Sequence, residues 1–191
     1  MTVDTHGRWP WGSAALVAPT WAAAIARRGE LAEDGRWVAW LALPILVAHQ
    51  TEEWVRPGGF LPFVNQRLLG SGEPAWPLTE RLGLVVNVPL GWGSAVAGAL
   101  LWRRSPALAA GVLAMEAGNA LMHGSMAVRE RCYNPGSVTG PLLMGAHAAA
   151  GAAWLARSGR MSRRSSAGAV AIGAAFAALP LAMKARLHRG R

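Results

Sequence analysis

The chain has 191 residues, 52% of them hydrophobic and only 15% charged, with a formal net charge of +9. That composition argues against a soluble domain and for a small polytopic membrane protein. The basic residues fall in short clusters between apolar runs ("ARR" at 26–28, "RR" at 103–104, "RSGRMSRR" at 157–164, "KARLHRGR" at the end), as membrane-flanking charges do, and no motif or basic–aromatic interleaving points to nucleic acid.

The first apolar stretch, "WPWGSAALVAPTWAAAIA" at 9–26, is interrupted by Pro10 and Pro19 and followed by the acidic "GELAEDG". It is expected to be an interfacial or partly inserted helix within an N-terminal segment, 1–35. Arg8 against Asp4 gives too little positive charge for a cleaved signal. Five further runs, at about 36–56, 82–102, 106–127, 138–157 and 167–185, each approach the ~20 residues a helix needs to cross a bilayer. The predicted fold is therefore all-α: a polytopic transmembrane helix bundle of about five spans. Residues 36–157 form a four-span core, and 158–191 a basic loop, a fifth span and a basic tail. Most connections are short, which favours antiparallel neighbours. The Gly- and Pro-rich stretch 57–81 is the exception, and its inner "FLPFVNQRLL" predicts a short interfacial helix. Trp37, Trp54, Trp102 and Trp154 sit at span ends as an aromatic belt, whereas Trp92 sits mid-span. The single cysteine, Cys132, excludes an internal disulfide.

The first span ends in "HQTEE". The apolar run before it, "WVAWLALPILVA" at 37–48, covers only about 18 Å as a helix, so the helix must continue through the polar residues to cross. His49, Glu52 and Glu53 stand at i, i+3 and i+4 and share one helix face. Ionisable groups in hydrocarbon are costly and face partners, water or a substrate path. The third span repeats the pattern: Glu116, Asn119 and His123 lie on one stripe at i, i+3 and i+7. Asn87 in the second span and His147 in the fourth add to the set. Alternating the spans brings His49–Glu53, Asn87, Asn119 and His123 to one side of the bundle. The loop "RERCYNPGSVTG" is then a lid, and Glu116 and His147 a deeper floor. His6 and His188 lie outside the spans.

"HQTEE" at 49–53, "NALMH" at 119–123 and "YNPG" at 133–136, in this order, resemble the bacterial HXXEE membrane-protein family. That family is named for the first motif and carries a later histidine and a Tyr-x-Pro-Gly motif. The resemblance covers about 36–157 and implies family roles for His49, Glu52, Glu53, His123, Tyr133, Pro135 and Gly136. It implies a membrane location, in the bacterial cytoplasmic membrane, and leaves the activity open, since the family has no general assigned reaction.

Two chemistries suit the residues themselves. His49, Glu52, Glu53, Glu116, His123 and His147 are candidate ligands for a transition metal, Zn, Fe or Mn, because imidazole and carboxylate from adjacent helices can share one ion. His49-x-x-Glu52 reverses the usual Glu-x-x-His of bundle sites, and no His-Glu-x-x-His is present. Without metal, Glu52 or Glu53 would act as general acid or base with His123, Asn119 and Tyr133 nearby. Either version suggests an enzyme on a lipophilic substrate entering from the bilayer: a hydrolase, an isomerase or cyclase, or an oxidoreductase. The competing readings are proton, ion or small-molecule transport and a non-catalytic lipid-binding role. The absence of paired broken half-helices weighs against transport, and the absence of a nucleophile motif, phosphate loop or dinucleotide fingerprint weighs against an enzyme.

Overall fold

The computed structural model describes residues 7–189, and His6 lies outside them. The described residues are mainly helical, with no strand among them. Each of the five apolar runs forms helix, and so does the N-terminal stretch. We label α1 (Trp9–Ala26) and α2 (Ala42–Trp54), the latter preceded by a single turn, Trp37–Trp40. Helix α3 (Glu80–Leu101) contains a π-helical insert, Val86–Trp92, built around Pro89. Helix α4 (Ala107–Glu130) is followed by the π-helical Gly140–Gly145, which leads into α5 (Ala146–Ser158), and then by α6 (Arg163–Ala177) and α7 (Leu179–Arg189).

Helix α4 is the hub. It packs against α6, Gly140–Gly145, the C-terminal half of α3 and α5. One apolar cluster joins α2 to its neighbours through Ala42, Ile45, Leu46, Ala95, Val112, Met115 and Met144. A second, around Val38, Trp102, Leu113 and Leu155, closes the opposite end. Helices α3 and α4 approach closely: a Cβ on Gly98 would sit at van der Waals contact, 3.4 Å from the backbone of Ala109.

Helix α1, expected to be interfacial or partly inserted, packs along α2, and Ser13 on it is fully buried and donates to Gln50 at 3.1 Å. One expectation changes. Five spans are not supported: among the described residues two helices, Glu80–Leu101 and Arg163–Arg186, are long and apolar enough to cross a membrane. The physical reason is that the other runs spend their length on polar groups or interruptions. Helix α2 has 13 residues and ends in the polar cluster, α4 has the length but carries Glu116, Asn119 and His123, and α5 begins only after a π-helical stretch.

The 57–81 connection is ordered from within. Its short helical piece, Phe60–Pro62 continuing as Phe63–Leu68, matches the expected one. Buried Asn65 donates to the carbonyls of Pro74 and Leu78 and accepts from the Leu78 amide, each at 2.8 Å. This places Val64 and Leu78 against the cavity described below. Asn65→Ala leaves these buried backbone groups unpaired and is expected to cost at least about 1–3 kcal/mol. Leu100→Ala, on an exposed face, should change stability by less than about 0.5 kcal/mol. Unfolding of both variants in detergent checks the contrast.

Candidate metal centre

Helix α2 carries His49 and Glu53 one turn apart, so their side chains meet on one face. Buried Ile45, Leu46 and Val47 hold the preceding turn in the core, which fixes the direction of that face. His123 comes from α4. That helix stops at Glu130, and Arg131 adopts the left-handed conformation (φ 50°) that commonly ends a helix. The chain then folds back, and residues 133–139 lie over the two histidines.

Three atoms converge under this loop. Glu53 Oε1 lies 3.3 Å from His49 Nε2 and 3.1 Å from His123 Nε2. All three side chains are buried, and the imidazole rings stand edge to face at 5.1 Å. Neither Nε2 meets the geometry of a hydrogen bond. The protonation of the rings follows from their other nitrogens. The Thr139 hydroxyl donates to Glu52 Oε2 at 2.5 Å, so at 2.8 Å it can only accept from His49 Nδ1–H. The Asn134 amide nitrogen donates to the His123 carbonyl at 3.1 Å, which turns Asn134 Oδ1 toward His123 Nδ1–H at 2.9 Å. In its neutral form each imidazole therefore presents the bare lone pair of Nε2 to a carboxylate oxygen. Three acceptors brought together in a desolvated place need a cation among them, either a proton or a metal.

The spacing fits a metal. Ligand bonds of about 2.0–2.1 Å in a tetrahedron put neighbouring donors about 3.3 Å apart, close to the separations of Glu53 Oε1 from the two Nε2 atoms. The distal N–H of each histidine is engaged by a hydroxyl or an amide oxygen, the arrangement that fixes metal-ligating imidazoles in their tautomer and orientation. The three residues also have mutual donor distances within 4.8 Å.

Glu52 points elsewhere. Its Oε1 accepts from the Tyr133 hydroxyl and the Val138 amide, both at 3.1 Å, and its Oε2 from the Thr139 amide at 2.7 Å and the Thr139 hydroxyl. An ionised carboxylate at the start of the next helix satisfies orphan amides and meets the positive end of the helix dipole. Burial first, and then the Glu52 carboxylate, hold the Tyr133 phenol above its ordinary range, so Tyr133 remains a hydrogen-bond donor. Gly136 closes the lid from above. Its φ is +94°, and a Cβ there would come within 2.7 Å of His123 Cε1 and 2.8 Å of His49 Cε1.

The six candidate ligands thus divide. His49, Glu53 and His123 meet, and Glu52 holds the loop. Glu116 and His147 form a separate buried pair, with His147 Nδ1 2.6 Å from Glu116 Oε2. Asn119 contacts Met115 Sδ at 3.2 Å and lines the neighbouring cavity. Trp92, singled out in mid-span, donates to Gln50 at 2.6 Å. Thr139, Asn134 and Gln50 were missed as site residues, although Asn134 and Gln50 lie inside the quoted motifs.

A family model described as "Protein of unknown function with HXXEE motif" matches residues 40–150, more than half of the chain. The chain belongs to the HXXEE family. No curated protein and no solved structure matches it. In this HXXEE protein the motif letters have distinct physical tasks: the histidine and second glutamate form the cluster, and the first glutamate pins the covering loop.

That division predicts opposite outcomes for two neighbouring substitutions. Glu52→Gln loses charge-assisted bonds and turns an amide group toward N–H donors, so stability should fall by about 1.5–3 kcal/mol or more. Glu53→Gln relieves a buried charge and should leave stability near that of the unmodified chain while abolishing any metal binding. Paired unfolding and metal-content measurements decide between them. Gly136→Ala should cost about 1–3 kcal/mol from backbone strain and weaken metal retention as the added methyl displaces both imidazoles.

Proposed function

We propose that this HXXEE protein is an integral membrane enzyme that acts on a lipophilic substrate with a transition metal held by His49, Glu53 and His123. The observation that carries the reading is the position of the three-donor cluster. His49 and Glu53 line a mainly apolar cavity of about 450 Å³, within the size range of small-molecule sites. Two histidines and one carboxylate leave coordination positions open, as catalytic sites require and closed structural sites do not. Neutral imidazole with carboxylate favours Zn, Fe or Mn over Ca or Mg.

Membrane insertion is supported by the two long apolar helices and by the apolar side chains they leave outward, Leu100 and Val170 each being 70% exposed. Such surface is matched by lipid and poorly matched by water. A substrate from the bilayer would reach the cluster through the apolar cavity, with no need to pass through water.

The roles of the chain's own groups follow. His49, His123 and Glu53 would hold the ion, and Thr139 and Asn134 would keep both rings in the ligating tautomer. Glu52, Tyr133 and Gly136 keep the loop closed over the site and so exclude water from one side. The bound ion would polarise a substrate oxygen or activate a water. Its identity assigns the reaction class, since zinc with these ligands fits hydrolysis and iron fits oxygen chemistry.

Protein purified in detergent without chelator or nickel resin should contain about one Zn, Fe or Mn per chain by elemental analysis. His49→Ala and His123→Ala should each lower occupancy by roughly tenfold or more, and exposed His188→Ala should leave it unchanged. Acidification should release the ion, because protons compete for both imidazoles and for Glu53. Protein that contains no stoichiometric metal and takes up none of the three ions overturns the metal reading. Glu53 would then remain as a general base between two imidazoles.

A further inference from the structure

One face of the cavity carries an amide pair that the metal reading does not use. Gln50, fully buried, and half-buried Asn87 both line it, beside His49 and Glu53. Their orientations are forced from both ends. The Trp92 indole N–H is only a donor, so its contact at 2.6 Å must be to Gln50 Oε1, which also accepts from Ser13. Gln50 Nε2 then donates to Asn87 Oδ1 at 2.9 Å. Asn87 Nδ2 donates to the Gly83 carbonyl at 2.8 Å, which is only an acceptor. Each amide nitrogen has two hydrogens and uses one here. Two N–H donors are left over on residues that line the cavity, and Asn87 lies in a helix insert of the π type that often marks functional sites.

The rest of the wall is apolar. Leu46, Leu82, Val86, Phe176 and Met183 contribute to it, and among the described residues no Lys or Arg lines it. Away from the cluster, these residues offer no cationic side chain to meet a desolvated anionic headgroup. A dry cavity of about 150 Å³ takes one benzene, so 450 Å³ suits a ligand of roughly eighteen non-hydrogen atoms by the same packing.

We propose that the cavity selects a neutral lipid of about that size whose single polar group is a hydroxyl or carbonyl oxygen, held by the spare N–H groups of Gln50 and Asn87. The proposal rests on the reading of Glu53 and its histidines as the reactive site, because the amide pair would place the oxygen-bearing carbon against that cluster. A site that donates to an oxygen discriminates strongly against a ligand lacking one, since its buried donors are then left unpaired.

The test is native mass spectrometry of the full chain released from detergent, titrated with 1-hexadecanol, hexadecane and hexadecyl phosphate, with and without prior chelation. A one-to-one hexadecanol complex roughly tenfold tighter than either competitor is expected, and Gln50→Leu should abolish that preference while hexadecane binding persists. If Gln50→Leu does not fold, Leu82→Trp serves instead. It fills part of the cavity and should lose hexadecanol by roughly tenfold while keeping 1-octanol. Equal binding of hexadecane or hexadecyl phosphate, a preference that survives Gln50→Leu, or unchanged chain-length selectivity in Leu82→Trp overturns the inference. Metal content of the same samples separates the two claims. A chain without metal that still prefers the alcohol overturns the metal reading alone, and a metal-loaded chain without the preference overturns this one alone.

Discussion

A carboxylate taken out of water is tolerated only beside a compensating cation or a full set of donors. Glu53 is that carboxylate here, and the arrangement around it follows from the need to compensate it. Thr139 and Asn134 take the Nδ1–H groups of the two imidazoles that approach it, so a neutral ring meets Glu53 with the lone pair of Nε2 and only a protonated ring could donate to it. With both rings neutral, the surrounding network keeps three acceptors together. That is unfavourable for an empty hydrogen-bonded core and favourable for a bound ion, and it is the kind of local cost that folds carry at functional sites.

The adjacent glutamate shows how one residue step on a helix separates two jobs. A step of one residue rotates a side chain by about 100°, which aims Glu52 at the backbone of 138–139 while Glu53 faces the histidines. Glu52 gathers four hydrogen bonds from a segment more than eighty residues away in sequence. Through Thr139 those bonds reach His49 itself. The loop, the ring orientation and the cluster are thus one connected network, and disturbance of the lid is transmitted to the donors.

Much of this was legible in the sequence. Long apolar runs marked every principal helix, and i, i+4 spacing placed His49 with Glu53. Alternation of the helices brought His123 and the Tyr-Asn-Pro-Gly turn to the same end, where the structure has them. What periodicity could not separate was depth. Glu116 and His123 share a stripe, yet seven residues of helix span about 10 Å, and Glu116 pairs with His147 instead. Thr139 and Asn134 were missed because loop residues carry no periodic signal and their contacts are tertiary. The prolines of the N-terminal helix gave no hint of its tertiary contact, the bond by which Ser13 ties it to Gln50. The span count failed for the same reason that the site exists: α2 and α4 give up apolar positions to hold the polar groups.

The most direct measurement of the central claim is X-ray absorption spectroscopy at the edge of the metal that copurifies with the full chain, on the unmodified protein and on Glu53→Gln. The account predicts a first shell of two imidazole nitrogens and carboxylate oxygen at about 2.0–2.1 Å in the unmodified protein, and no metal held at this site in the variant. A shell without imidazole scattering, or one identical in Glu53→Gln, would contradict it.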